Sequence, residues 1–495
     1  MTRPSTVIDI GLDLGTTASK AVALDGAGCV VGSASLPTQW RAPHPEWAER
    51  EADAVDTLVG RLLGEVLVAA ERSVAVTAVR SIGVTGMAES GTVLDRDGVA
   101  RAPMIAWYDP RGRDEITSLP DDFGALFPGR TGLPMTPLAT LFKLRWLQQH
   151  GLDLAGLQWL SLPEYVCHRL GGRRAAERSM LGRTGLLDIH TGELLPEALH
   201  VLRADPALVP SQVPAGTSVG TLGTGAFGLD DRYAGAVLTV AGHDHLVAAA
   251  AADAAHAGTV FDSMGTAEAF VCATPTLPSP ESVAALVALG VGTYSHVVSN
   301  TTALIAGMRT GLVLKRVLAI AGLDNDEGRR SVDTVRLVGQ AAGGPEGIGP
   351  EGIGPEGAGP AAGIRVHGYE MAGAPVSIVI DDDEVTPQDL WAAALHSVTT
   401  GARGLVDGIR SQGVEITDLV VAGGWTRMAS VLATRGALAA TVRQAHDPQP
   451  GLIGAALMGR WASGVDSAAG IPPHDSPPAD WFAQWSPDPH QQEKP

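Results

Sequence analysis

Asp13, Gly15, Thr16, Thr17 and Lys20 sit in and around a tight turn between two apolar, strand-like runs that together span 8–28. These residue types at this spacing suit phosphate chemistry. Gly15 lets the backbone approach a ligand closely. The amides and hydroxyls of Thr16 and Thr17 can hydrogen-bond phosphate oxygens, Lys20 adds positive charge, and Asp13 can hold Mg²⁺ directly or through water. The alternative for the segment by itself, and the lesser one, is an ordinary hairpin with a threonine-rich turn.

A second segment of the same build lies in the other half of the chain. Thr259–Ala273 contains Asp262-Ser-Met-Gly-Thr266, which echoes Asp13-Leu-Gly-Thr-Thr17 and places Gly265 and Thr266 in its turn. Between them stand Trp107-Tyr-Asp-Pro-Arg111 and Val240-Ala-Gly-His-Asp-His-Leu246. With Asp418-Leu-Val-Val-Ala-Gly-Gly-Trp-Thr-Arg427 and Gly451-Leu-Ile-Gly-Ala-Ala-Leu457, these motifs resemble the FGGY family of carbohydrate kinases, within the actin/hexokinase fold superfamily. The resemblance covers about residues 7–461.

The resemblance implies a fold and a set of roles. The expected fold is α/β, with two actin-like (ribonuclease H-like) domains, each a mixed five-stranded sheet flanked by helices around a catalytic cleft. ATP and Mg²⁺ are the implied cofactors, and the implied partner is a small sugar or polyol. Asp244 matches the family's base and would take the proton from the attacking hydroxyl; with Asp13 it would also serve the metal. Its alternative role is a helix cap. Gly265, Thr266, Gly307, Gly311, Gly423 and Gly424 would line the nucleotide site, and Trp425 stands where the family carries a small residue. Trp107 would pack on a sugar face and Asp109 accept hydroxyl hydrogen bonds, the alternative being a core tryptophan and a surface Asp109–Arg111 ion pair.

Met87, Ala88 and Glu89 stand where family members differ by substrate. Xylulokinase-like members carry Met-His there and glycerol-kinase-like members Arg-Glu. Glu89 with Ala88 beside it reads as an unpaired carboxylate, which suits neutral hydroxyls and repels acids. The expected substrate is therefore a neutral ketose such as xylulose, ahead of a polyol of the glycerol or erythritol type and of gluconate. A catalytically silent binding or regulatory protein on the same scaffold is the alternative from another class. The His243/His245 pair suggests a metal at first sight, but no third ligand is near in sequence, and His245 is expected to touch the sugar. Glu49 is expected to be structural. The family's Gly-Glu-Arg-x-Pro stretch has no counterpart.

The elements that must position these residues are set by pattern. The opening reads strand, turn, strand, turn at Asp25–Gly28, strand from Cys29. Val55, Leu58, Val59, Leu62, Leu63, Val66 and Leu67 recur at helical spacing and predict a helix over about 53–72. Ser81–Thr85 then reads as a buried strand that delivers Gly86–Ser90, and strand ends are where ligands gather in such sheets. Residues 109–220 read as mostly helices and loops; by the resemblance, they would be the family's insertion over the sugar site, with Leu141–Leu147 matching its Lys-x-x-Trp helix. Thr386-Pro-Gln-Asp389 is a strong helix start, with an N-cap followed by proline, and predicts a helix to about Ile409. The domains are expected at 1–250 and 251–465. A Pro/Gly-rich loop occupies 343–363, where Pro-Glu-Gly-x-Gly repeats preclude regular structure. The tail 466–495 is expected to be extended.

Composition bounds the partners. At 495 residues the chain builds a large core, and a net charge of −19 argues against a nucleic-acid backbone or an anionic membrane surface. Leu246–Val260 is interrupted by Asp253 and His256 and does not read as a membrane span. Cys29, Cys167 and Cys272 are scattered and odd in number, which fits a reducing cytoplasm rather than a disulfide framework or a zinc site. A homodimer is compatible with the resemblance.

Overall fold

The structure, a computed structural model, describes residues 4–333, 363–370, 375–381, 383–467 and 474–485. The Pro-Glu-Gly repeats lie outside them. In the first half, β1 (Ser5–Leu14), β2 (Ala18–Leu24) and β3 (Val30–Pro37) form an antiparallel meander, followed by helix α1 (Ala52–Ala70). β4 (Ala75–Gly86) and β6 (Val237–His243) extend the sheet in parallel to β1. The apolar stripe predicted for α1 is buried, Val55 through Leu67 closing one face on the sheet.

The second half repeats the plan. β7 (Thr259–Met264), β8 (Glu268–Thr274) and β10 (Thr302–Met308) form the antiparallel part, and β11 (Asp418–Ala422) and β12 (Thr441–Gln444) add in parallel beyond β7. Each sheet has six strands, not the five expected. The sixth is an antiparallel edge strand: β5 (Ser218–Thr221) beside β6, and β9 (Val291–Ser295) beside β10. Added edges of this kind close off otherwise unpaired backbone.

Five helices matter for the site. α2 (Thr140–Gln149) and the short α3 (Arg178–Leu181) belong to the insertion; α4 (Asp244–Ala251) follows β6; α5 (Thr310–Ile320) follows β10; α6 (Pro387–Ser411) carries the predicted start. Thr386 and Asp389 form a reciprocal capping box there, as the sequence predicts.

The closing helix α7 (Pro450–Ala462) packs across β1, β4 and β6 of the first sheet, although it belongs in sequence to the second half. Small residues make this possible: a methyl group at Gly83 would lie 1.8 Å from the Ala455 carbonyl oxygen. α4 and α7 thus share a buried layer with residues of both sheets, including Val22, Phe261 and Val420. The expectation of a wholly extended tail is corrected. Ala479–Ala483 is a short helix (α8) whose Phe482 is buried in that layer, because the Trp481, Phe482 and Trp485 rings cluster with Trp461. Among the described residues no helix is long and apolar enough to cross a membrane.

Candidate functional site

Parallel pairing gathers the first set of candidates at one end of one sheet. Asp13 pairs in register with Thr85, and Thr85 with Gly242, so the ends of β1, β4 and β6 lie side by side. The Thr85 hydroxyl donates to the Gly242 carbonyl at 2.6 Å and fixes β6 just before it delivers Asp244. Parallel neighbours lie about 4.8 Å apart, which puts Gly242 two strand spacings from Asp13, with Asp244 two residues beyond it.

The two carboxylates are electrostatically unequal. Burial, and then the charge of Asp244, push the Asp13 carboxyl up to about 7, with Lys20 (its cross-strand partner) only partly offsetting this. Asp13 Oδ1 is buried with no hydrogen-bond partner. Asp244 is also buried enough to be pushed up, but His245, His243, the His245 N–H at 2.7 Å and Arg183 outweigh that and hold it below its usual value. Of the pair, Asp13 keeps the proton and Asp244 is the ionised member. Two facing carboxylates with an unsatisfied oxygen fit Mg²⁺, which takes one or two protein carboxylates and fills its other positions with water and phosphate. No cluster of three or more His, Cys, Asp or Glu suited to a metal is found among the described residues, and His243/His245 do not make one.

The first hairpin turn is held from outside. Thr38 donates through its N–H to the Thr17 carbonyl at 2.9 Å and through its hydroxyl to the Gly15 carbonyl at 2.8 Å. Trp40 Nε1 donates to the Thr16 carbonyl at 2.8 Å, and Trp107 Nε1 to the Thr16 hydroxyl at 2.9 Å. The turn's carbonyls are therefore occupied, and Thr17 is exposed at its tip.

The strand end after β4 differs from expectation. Met87 and Ala88 are buried, at 4% and 0% exposure. Glu89 is not unpaired. Arg183, from the loop after α3, donates through both Nε (2.6 Å) and Nη2 to Glu89 Oε1, and Tyr294 of β9 lies 4.5 Å from the guanidinium. Although burial alone would raise it, Arg183 and His243 hold the Glu89 carboxyl below its usual value. Sequence reading missed Arg183 altogether.

Asp109 is likewise corrected. Its oxygens accept from the Ala48 N–H (2.7 Å), the Arg111 N–H (2.9 Å), Arg111 Nε (2.9 Å) and Arg111 Nη2 (2.8 Å), leaving nothing free for a sugar hydroxyl. The Asp109–Arg111 pair is buried rather than on the surface, and Glu49 joins it at 2.7 Å, a structural role as expected. Its function is to shape the segment that carries Trp107. Lys143, another residue without an assigned role at the sequence level, supports the same segment. Buried among Glu89, Asp109 and two arginines, it donates to the carbonyls of Trp107 (3.2 Å) and Pro137 (2.5 Å), and burial lowers its ammonium to about 8. His243 is buried and pushed down to about 4, first by burial, so it is neutral near pH 7; its ring lies 5.6 Å from that of half-buried His245.

The second half assembles the remaining candidates. Gly265 and exposed Thr266 form the turn between β7 and β8; Gly307 is one residue from the end of β10; Gly311 is the second residue of α5. A methyl group at Gly311 would lie 2.0 Å from the Gly265 carbonyl oxygen and 2.6 Å from Trp425 Nε1. Gly423 has φ 103°, where other residues are strained, and its Cα abuts the Met264 carbonyl; Gly424 is open around its Cα. Trp425 is half-buried, with its ring 6.4 Å from that of Trp391. Asp262, the apparent counterpart of Asp13, is instead fully buried beside Arg435.

Residues 8–251 match the family model described as the N-terminal domain of the FGGY family of carbohydrate kinases. A glycerol kinase from Herminiimonas arsenicoxydans is 29% identical over 227 residues, 44% of this chain and 45% of that protein. An L-fuculokinase from Salmonella typhi is 30% identical over 242 residues, 47% of this chain and 50% of that protein. The chain thus spans about half the length of the curated relatives it matches. In fold it is similar to a xylulose kinase from Rhodospirillum rubrum (TM-score 0.78, 22% identity, 97% and 96% of the two chains). It is equally similar to a Plasmodium falciparum glycerol kinase with ADP (TM-score 0.78, 17% identity, 98% of each).

Proposed function

We propose that this chain, which belongs to the FGGY family of carbohydrate kinases through its residues 8–251, transfers the γ-phosphate of ATP to a hydroxyl of a small sugar. The observation that carries this reading is the unequal pair at the strand ends: Asp13, with an unpartnered buried oxygen, beside Asp244, held ionised. In the reaction, Asp244 accepts the proton of the substrate hydroxyl. The hydroxyl oxygen bonds to the γ-phosphorus as the bond to the β–γ bridging oxygen breaks and ADP leaves. A base so placed contributes about 10²–10⁴-fold. Phosphoryl transfer otherwise needs positioning and charge neutralisation. Asp13 and Asp244 would hold Mg²⁺, which when bound would neutralise phosphate charge. The turn at Gly15–Thr17 with Lys20, and that at Gly265–Thr266, would take the phosphates; Gly307, Gly311, Gly423 and Gly424 would border the nucleotide.

The substrate we propose is a neutral ketose such as xylulose. Glu89 is not the lone carboxylate expected from sequence, but the paired site supports the same preference. Arg183 is already neutralised by Glu89 and offers no free cation to an acid, while the pair together presents acceptors and donors to hydroxyls. A polyol such as glycerol is the second reading, favoured because Arg183 brings to Glu89 the arginine that glycerol-kinase-like sequences carry beside it. We place the protein in the cytoplasm, in keeping with its free cysteines. The test is coupled ADP production with Mg·ATP against ketoses, polyols and aldonic acids. A dominant response to one neutral compound is expected; a response confined to aldonic acids would overturn the substrate assignment.

A further inference from the structure

Two carboxylates and one guanidinium are sealed beneath the second hairpin, outside the chemistry described above. Asp262 on β7, Glu268 on β8 and Arg435 are all without solvent exposure at their side chains. Arg435 Nε lies 2.9 Å from Asp262 Oδ2, and its Nη2 donates to Glu268 Oε1. The other oxygen of Glu268 accepts the hydroxyl of Thr310, the first residue of α5. Glu268 pairs with Met264 and so closes the very turn that presents Gly265 and Thr266. One guanidinium thereby ties together both legs of the hairpin, and Glu268 ties the hairpin to α5. The turn rests directly on that helix, since a methyl group at Gly311 would meet the carbonyl oxygens of Gly265 at 2.0 Å and Thr266 at 2.9 Å.

Such a cluster is a poor way to gain stability. Well-packed apolar residues of similar volume are often as stable as a buried ion pair or more so, while removing one partner is costly. Burial first, and the Glu268 charge second, keep a proton on Asp262, with Arg435 opposing, so the group approaches neutrality. The contrast with the first hairpin is informative. There the acid of the strand, Asp13, lies near the charge of Asp244; in the second, Asp262 has no solvent exposure and lies beside Arg435, although both of its oxygens lack a hydrogen-bond partner. What the cluster accomplishes is geometric.

We propose that Glu268, Arg435 and Thr310 are positioning residues for the nucleotide, clamping the Gly265–Ala267 turn against the start of α5 so that its phosphate-facing shape is preset. The ligand's identity as an adenine nucleotide rests on the kinase reading above. The test compares Thr310→Val, which removes only the clamp's hydroxyl, with Thr310→Ser, which keeps it. ADP affinity is measured by calorimetry, and KM is measured separately for ATP and for the sugar. Thr310→Val is expected to weaken ADP binding and raise KM for ATP about tenfold, leaving KM for the sugar unchanged, and Thr310→Ser to return both to within about twofold of wild type. Undiminished ADP binding by Thr310→Val, equal losses for both substrates, or failure of Thr310→Ser to restore binding would each overturn the proposal. Should Thr310→Val not fold, Arg435→Lys, which keeps the charge but not the fork, is expected to give the same split, and its absence is equally fatal. A folded wild type that binds no ADP contradicts the kinase reading itself, a result distinct from loss confined to the variants.

Discussion

Asp13 near the end of β1 and Asp244, the first residue of α4 just after β6, stand at the same end of the sheet with β4 between their strands, and the charge of Asp244 raises the proton affinity of Asp13. Two acids in neighbouring positions thus divide into one that binds a proton or cation and one that stays ionised. That division is what a base-assisted phosphoryl transfer requires. It also has consequences that do not depend on knowing the sugar.

The first concerns stability against pH. Asp13 holds its proton to about pH 7 when folded, against an ordinary value of 3.8, so the folded state binds more protons between those limits. Its stabilising contribution is complete below the ordinary value and is lost as pH rises through about 7. Asp13→Asn is therefore expected to melt higher than wild type at pH 8 in the absence of Mg²⁺, by about 1 °C per kcal/mol recovered, with little difference at pH 4. Mg²⁺ should raise the melting temperature of wild type at pH 8 and leave Asp13→Asn unmoved. Thermal melts at the two pH values, with and without Mg²⁺, check both.

Arg183 and Glu89 are expected to be intolerant of single truncation. Arg183→Met leaves a carboxylate buried without a counter-charge and is predicted to destabilise by about 3–5 kcal/mol, whereas Arg183→Lys, which keeps the charge, should cost less. Denaturant unfolding of the two variants measures the difference.

Trp107→Phe keeps the ring but loses the bond from Nε1 to the Thr16 hydroxyl. The loss is worth about 0.5–1.5 kcal/mol and should appear as a several-fold rise in KM for ATP, because Thr16 belongs to the phosphate turn. Steady-state kinetics with ATP varied at saturating sugar provides the check.

The parts of this site that are local in sequence were legible from it. A glycine and two threonines between apolar runs specify a hairpin turn, and the apolar run at Ser81–Thr85 specifies a buried strand ending at Gly86. The helix stripe from Val55 to Leu67 and the Thr386 cap are equally local signals. Long-range pairing escaped. Arg183 reaches Glu89 across 94 residues and Arg435 reaches Glu268 across 167, and nothing in the composition around either arginine announces its partner. For the same reason Asp109 resembled a ligand residue: only the fold reveals that Arg111 and the Ala48 N–H fill its oxygens. The sixth strand of each sheet was also invisible, because Ser218–Thr221 and Val291–Ser295 are short edge segments with little apolar alternation of their own.

Sugar-stimulated ADP production by wild type and Asp244→Asn, with ADP binding measured on both, tests the central claim most directly. The account predicts that the wild type responds to a neutral sugar, that Asp244→Asn loses about 10²–10⁴-fold in turnover, and that both bind ADP with similar affinity. Turnover retained in Asp244→Asn would contradict it.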